Sequence, residues 1–481
     1  MNKDKLHILL DIGTQLSAEK DYNKLLEHII RAAMVITDAD GGTLYIYGND
    51  CLEFKIMITE SMHIFRGGNG DPIDLPPVKL RRENVCAAAV IDRKIINIPD
   101  VYDSDKYDFS GPRKYDAMTG YKTKSALVCP MENDRGEIIG VLQLINSTVD
   151  GKIVPFSQSD EEIIASLASQ AAVTLTNMNY SNQVTDLLYG FVRVISTGID
   201  ARTPYNANHT RNMVRYAERF FEYEKKTGGK WYAEGDEKLE ILMGIWLHDI
   251  GKLTTPLEIM DKESRLGLHT EIVNERFARI SLLNRLDHAE GRIDDEEFKK
   301  RDEKLKDYTE FVARVNKAGY VDDKTIEKVR SLRAETYTDV DGSVHNFIND
   351  IEEEQLSIRK GTLTDKERQI MQDHVVMTSK MLSVLNFPKK FEHVRLWSES
   401  HHEMLNGSGY PNHLTADEIP WQVRFISIVD IFEALTARDR PYKAQMPIDK
   451  AFGILDAMVR DGQIDGEIWD EFRKSRAWEE S

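Results

Sequence analysis

Two short doublets of metal-capable side chains constrain this chain more than any other feature: His248-Asp249 inside HDIGK, and His401-His402 opening HHEMLNGSGYP. Neutral imidazoles and carboxylates hold divalent transition metals, so a fold that uses both doublets must bring them into one cavity. Two cations held close together can share an activated water and clamp a phosphate in an in-line displacement. The pairing points to hydrolysis of a phosphodiester.

In ILMGIWLHDIGK the apolar run reads as a buried helix that Gly251 ends or bends, so that His248 and Asp249 face a cavity. Neighbours on a helix point about 100° apart, so each can face a different metal, or Asp249 can bridge two. A lone His-Asp pair more often closes a helix end, and the second doublet argues against that bland role. IMQDHVVMTSKML, LWSESHHEML and ISIVDIFEAL read as amphipathic helices that project ligands into one bundle cavity. Gly407, Gly409, Tyr410 and Pro411 form a turn-rich loop in which two glycines permit positive φ and Pro411 blocks helical continuation.

The length of 481 residues implies two to four compact units. With 63 Lys and Arg against 81 Asp and Glu, the net charge of −18 repels a nucleic-acid backbone and excludes nucleic acid as an expected partner. A small anionic substrate stays open, because bound cations dominate the field inside one pocket. The three cysteines, Cys51, Cys86 and Cys129, are odd in number and widely spaced, and read as buried small hydrophobes in a reducing compartment. No stretch is long and apolar enough to span a membrane, so a cytoplasmic location is expected.

The N-terminal part reads as α+β. Leu25, Leu26, Ile29, Ile30, Ala33 and Ile36 recur at helical spacing, and strand-like runs follow at 43–47, 94–98, 125–129 and 138–145. The polar turn at 133–136 joins the last two as a hairpin in a curved antiparallel sheet. From Asp160 to about Ile199 apolar residues keep a helical period over some ten turns, which suits a homodimer seam running on from the first domain.

Residues 1–178 resemble a GAF sensor domain, in ADGGTLYIY, PMENDRGEIIGVLQLIN and FSQSDEEIIASLASQAAVTL. Phe156, Asp160 and Glu161 match the pattern of nucleotide-binding members, but Ser147 stands where those have lysine beside Asn146, which leaves the GAF ligand unknown.

HDIGK together with HHE and NGSGYP resembles the HD-GYP family, all-α metal phosphohydrolases that cleave cyclic di-GMP; Asn406 departs from the family's usual Asp and can shape the same turn. The resemblance implies metal binding by His209, His248, Asp249, His374, His401, His402 and Asp430. It implies catalytic roles for Asp249 and Lys252, and substrate contacts from Lys252, Arg440, Lys443 and Tyr410, with Arg438 less well matched. Two divalent cations are expected, Fe or Mn, and no third, because Tyr205 stands where some members carry an extra Glu. The family's loop is linked to contacts with diguanylate cyclase domains.

The expected organisation is a GAF domain at 1–178, a connecting helix at 179–200, the HD-GYP domain at 201–259 and 361–481, and a charged helical insertion at 260–360. The insertion separates His248 from His374 by 126 positions, where the family has a short link, and a stripe of Ile293, Phe298, Leu305, Tyr308 and Val312 marks it as helical. A lid, a partner surface and an inert decoration are all open to it. The expected activity is a GAF-regulated cyclic di-GMP phosphodiesterase giving pGpG and, more slowly, GMP. Another cyclic dinucleotide or phosphate ester, or a non-catalytic receptor, are the alternatives.

Overall fold

The computed structural model describes residues 13–202, 208–437 and 446–479, apart from positions 17 and 20, and the chain divides into two compact units between Leu187 and Leu188.

The first unit is α+β. Asp21 caps helix α1 (Tyr22–Thr37) by accepting from the Lys24 amide, and Asp38 ends it in the left-handed conformation. There follow β1 (Ala39–Gly48), β2 (Cys51–Thr59), β3 (Ile64–Gly67), β4 (Val78–Lys79), α2 (Val85–Asp92), β5 (Ile96–Ile98) and α3 (Ser110–Thr119). Then come β6 (Ala126–Glu132), β7 (Ile138–Val149), β8 (Lys152–Val154) and the 43-residue helix α4 (Gln158–Asp200), whose residues from Leu188 on belong to the second unit. The eight strands pair antiparallel in the order β3-β2-β1-β7-β6-β5, with β4 on β2 and β8 on β7.

Strand alternation sends Leu44, Leu142 and Leu144 to one face, where they pack with Ile29 and Ile30 of α1 and Ile164 and Leu167 of α4. Tyr45, Val128 and Val141 go to the other face, with Val85 and Ala89 of α2. The expected hairpin forms, with the Asn133 amide donating to the Glu137 carbonyl at 3.0 Å and Gly136 at φ 76°. Cys86 and Cys129 are buried, whereas Cys51 is only half-buried.

Residues of the nucleotide-binding pattern are engaged within the fold. Asn146 accepts from the Lys124 amide at 2.7 Å and donates to the Tyr121 hydroxyl at 2.8 Å. Phe156 is buried, Asp160 accepts from the Ser157 amide and hydroxyl, and Glu161 accepts from Asn97.

Among the described residues the second unit is helical except for one hairpin. Helices α5 (His209–Thr227) and α6 (Gly235–Leu247), a 3-10 turn (Ile250–Thr254) and α7 (Leu257–Met260) lead into the segment 260–360, expected as an insertion. That segment holds α8 (His269–Ala289), α9 (Asp295–Lys317), α10 (Asp323–Ala334), strands β9 (Thr336–Thr338) and β10 (Val344–Asn346), and α11 (Asp350–Leu356). It packs on a core of its own, including Phe277, Phe311, Val329, Leu332 and Ile348. Leu305, Tyr308 and Val312 of the expected stripe are buried there, while Ile293 and Phe298 are half-buried. The β9–β10 hairpin is an addition to the all-helical expectation, turning at Gly342 with φ 84°.

The chain then returns through α12 (Asp365–Leu382), α13 (Val394–Glu399), α14 (Trp421–Thr436), α15 (Ile448–Arg460) and α16 (Gly466–Ser475). These pack with α5 and α6 around Phe220, Phe221, Phe425, Phe432 and Phe472. Among the described residues no helix is long and apolar enough to cross a membrane.

Candidate metal centre

The bundle brings the separated motifs together. His209 is the first residue of α5, His248 follows the last residue of α6, and Asp249 precedes the 3-10 turn. His374 lies within α12, His401 and His402 just beyond α13, and Asp430 within α14. Helix α6 thus ends four residues before Gly251. The expectation that Gly251 ends it is corrected: Gly251 sits inside the 3-10 turn, where a Cβ would stand 1.8 Å from the His374 carbonyl oxygen. Its amide donates to the Thr378 hydroxyl, which donates to the His248 carbonyl, each at 3.0 Å.

Ligand atoms fall into overlapping groups suited to a metal: His209, His248 and Asp430; His374, His401 and His402; and His248, Asp249 and His401. Asp249 stands between the first two. Its Oδ2 is 3.0 Å from His248 Nε2, and its Oδ1 is 3.4 Å from His374 Nε2. Asp430 Oδ1 is 3.2 Å from His209 Nε2, and its Oδ2 is 3.9 Å from His402 Nδ1. His374 Nε2, His401 Nε2 and Asp249 Oδ1 are buried with no hydrogen-bond partner among the described residues. Leaving such atoms unsatisfied costs about 1–3 kcal/mol each. A divalent transition cation matches this His and carboxylate donor set and would satisfy all three.

The charges are arranged accordingly. Burial alone would neutralise Asp249, but His248 and Lys252 outweigh it and hold its carboxyl well below the usual range. Asp430 is likewise buried and held low, chiefly by His209. Burial depresses His374, takes His401 well down and brings His402 to about 4, so these three rings are neutral near pH 7. At His209 burial also works against charge, but Asp430 and Glu433 hold the ring up at about 10. Lys252 donates to Asp249 Oδ2 at 2.6 Å, and despite burial this contact keeps its ammonium charged.

Tyr410 packs against His402, ring centroids 4.8 Å apart, and burial keeps its phenol protonated. Asn406 forms the expected turn, accepting from the Ser408 amide and hydroxyl. Of the two loop glycines only Gly407 has positive φ, at 76°. Gly409 is required instead by close approach, since a Cβ there would lie 2.3 Å from the Met404 amide nitrogen. Tyr205, Arg438, Arg440 and Lys443 lie outside the described residues.

Three supporting residues escaped the sequence reading. Glu433 faces His209 Nδ1 at 2.5 Å, Thr378 joins α12 to the HDIGK turn, and Glu403 accepts from the Asn412 and Leu414 amides to hold the glycine loop. Glu433 and Thr378 lie one helical turn after the candidate ligands Asp430 and His374, a spacing that could have flagged them.

Comparison with known proteins agrees with this architecture. Residues 21–175 match the family model described as GAF domain, and residues 352–468 the one described as HD domain. The HD match starts at residue 352, beyond His209, His248 and Asp249, and does not include them. Two relatives in Vibrio cholerae serotype O1 are named 3'3'-cGAMP-specific phosphodiesterases. Number 3 is 37% identical over 117 residues, 24% of this chain and 24% of that protein. Number 1 is 32% identical over 129 residues, 27% of this chain and 29% of that protein. A Thermotoga maritima protein named cyclic di-GMP phosphodiesterase is 33% identical over 108 residues, 22% of this chain and 28% of that protein. The matched stretch thus spans only 24 to 29% of the length of these relatives.

Proposed function

The chain joins a GAF domain to an HD domain, and we propose that its second unit hydrolyses cyclic di-GMP to linear pGpG, and more slowly to GMP, under control of the first. The observation that carries this reading is the position of Asp249, with one carboxylate oxygen toward His248 and the other toward His374. That position suits a residue shared by two cations. His209, on giving up its Nε2 proton, would hold one with His248 and Asp430, and His374, His401 and His402 would hold the other. Fe or Mn is the expected load. Such a pair supplies Lewis acidity that turns water into a nucleophile near neutral pH and offsets charge on the phosphoryl oxygens.

The chain's own groups do the positioning. Neutral His374, His401 and His402 offer lone pairs, and the two buried carboxylates stay ionised. Lys252, held by Asp249, is placed to meet the growing charge on the scissile phosphate. Tyr410 stands beside His402 as a wall for the substrate, and Arg440 and Lys443 complete the phosphate grip in this reading. The exposed apolar stripe on α4 is the proposed homodimer seam.

A second reading keeps the site and changes the substrate to 3'3'-cGAMP. It is favoured by the names of the two Vibrio relatives. The test is to purify the chain anaerobically, quantify Fe, Mn and Zn, and offer both dinucleotides beside an Asp249→Ala control. Cleavage of cyclic di-GMP to pGpG, lost in the control, is the expected result. Faster cleavage of 3'3'-cGAMP moves the assignment to that substrate, and a full metal load with neither cleaved points to another phosphate ester or to a receptor.

A further inference from the structure

His209 is held differently from His248, His374 and His401. His248, His374 and His401 each place Nδ1 against the backbone carbonyl three residues earlier, those of Ile245, Met371 and Ser398, at 2.6, 2.5 and 2.7 Å. That contact fixes the tautomer and turns Nε2 into the cavity. His209 opens its helix, and its Nδ1 faces a carboxylate instead, Glu433 Oε2 at 2.5 Å. Glu433 is 2% exposed and is anchored on its other oxygen by Asn212 Nδ2 at 2.9 Å. It lies one turn beyond Asp430 on α14, whose Oδ1 is 3.2 Å from His209 Nε2. One helix therefore engages both nitrogens of the ring.

We infer that Glu433 is a positioning residue that makes the His209, His248 and Asp430 group the tighter of two unequal cation positions. The inference rests on the metal-site reading above. A carboxylate behind an imidazole orients the ring and makes it a stronger donor than a backbone carbonyl does, and losing such a partner weakens metal affinity by about 10–100-fold. No such carboxylate stands behind His374 or His401, whose Nδ1 atoms face carbonyls.

The test is Mn²⁺ titration of the metal-stripped full chain, followed by the EPR signal of free Mn²⁺, with no substrate present. The wild-type protein should bind in two classes of unequal affinity. Glu433→Gln, which keeps the shape and removes the charge, should weaken the tighter class by about 10–100-fold and leave the other unchanged. Asn212→Ala, which frees Glu433 without removing it, should weaken the same class by less, and it carries the test if Glu433→Gln does not fold. A single class in the wild type, or equal or no weakening in the variants, overturns the role of Glu433 while leaving the metal site standing. No Mn²⁺ bound by the wild type removes the metal-site reading itself.

Discussion

Gly251 and the His374 carbonyl approach so closely that only a hydrogen side chain fits between them, since a Cβ at position 251 would also lie 2.6 Å from the Thr378 amide nitrogen. The contact presses the turn that carries Asp249 and Lys252 onto the helix that carries His374. Both obstructing atoms belong to backbone and cannot rotate away. Gly251→Ala should separate the two elements, cost about 1–3 kcal/mol as overpacking, and lower bound metal and turnover together. Thermal denaturation and metal analysis of the variant check this. A normal metal load would show that the turn and helix part without disturbing the ligands.

Arg265, fully buried at the start of the inserted segment, draws that segment together. Its Nε donates to the Ile358 carbonyl at 3.1 Å, and its Nη1 to Val315 at 3.0 Å and also to Ala318. Arg265→Met keeps the stem and leaves three carbonyls without this donor. The expected cost is on the order of 3 kcal/mol. Amide hydrogen exchange should quicken through residues 266–356 and stay slow in the helix Gly235–Leu247. Equal loosening of both regions would show that the inserted segment and the bundle unfold as one.

The two candidate ligand doublets were legible because HDIGK and HHE combine residue types that have few other uses together, whereas His209, His374 and Asp430 came only with the family resemblance. What holds them was less legible, because packing chooses the partner. Glu433 meets His209 across 224 positions and Thr378 meets His248 across 130, distances over which local period says nothing. The same limit applies to Gly251. A glycine after His-Asp reads as a helix end until the neighbouring backbone is seen. In the first unit the runs at 43–47, 94–98, 125–129 and 138–145 fall on β1, β5, β6 and β7, whereas the nine-residue β2 and the two- to four-residue β3, β4 and β8 were not read from the sequence.

The metal-stripped protein should be acid-sensitive near neutrality. His374, His401 and His402 all have folded pKa values depressed chiefly by burial, His402 to about 4. As pH falls below about 6.5 the unfolded chain takes up protons that the folded rings refuse, so stability falls toward pH 4, by up to about 1.4 kcal/mol per pH unit for each ring. His209, held at about 10, contributes with the opposite sign. Its stabilisation is complete below about 6.5 and is lost as pH rises toward 10. Denaturant melts of the stripped chain should therefore show falling stability on both sides of a maximum. A flat profile between pH 4 and 6.5 would mean that the rings are not buried neutral without metal.

Helix α4 carries an apolar stripe with nothing over it among the described residues. Val184, Leu187, Phe191 and Val194 are 65%, 61%, 59% and 70% exposed and recur at alternating steps of three and four. That is the spacing of a two-stranded seam. Between Asn177 and Gly198 the only charged residues are Asp186 and Arg193, in a chain of net charge −18, so two copies can approach here without the repulsion expected elsewhere. Leu187→Glu combined with Phe191→Glu places charges on the seam and should convert a dimer to a monomer in sedimentation, with the helix content kept. A wild-type chain that is monomeric at micromolar concentration would remove the seam, and the proposed regulation by the first unit would then have to act within one chain.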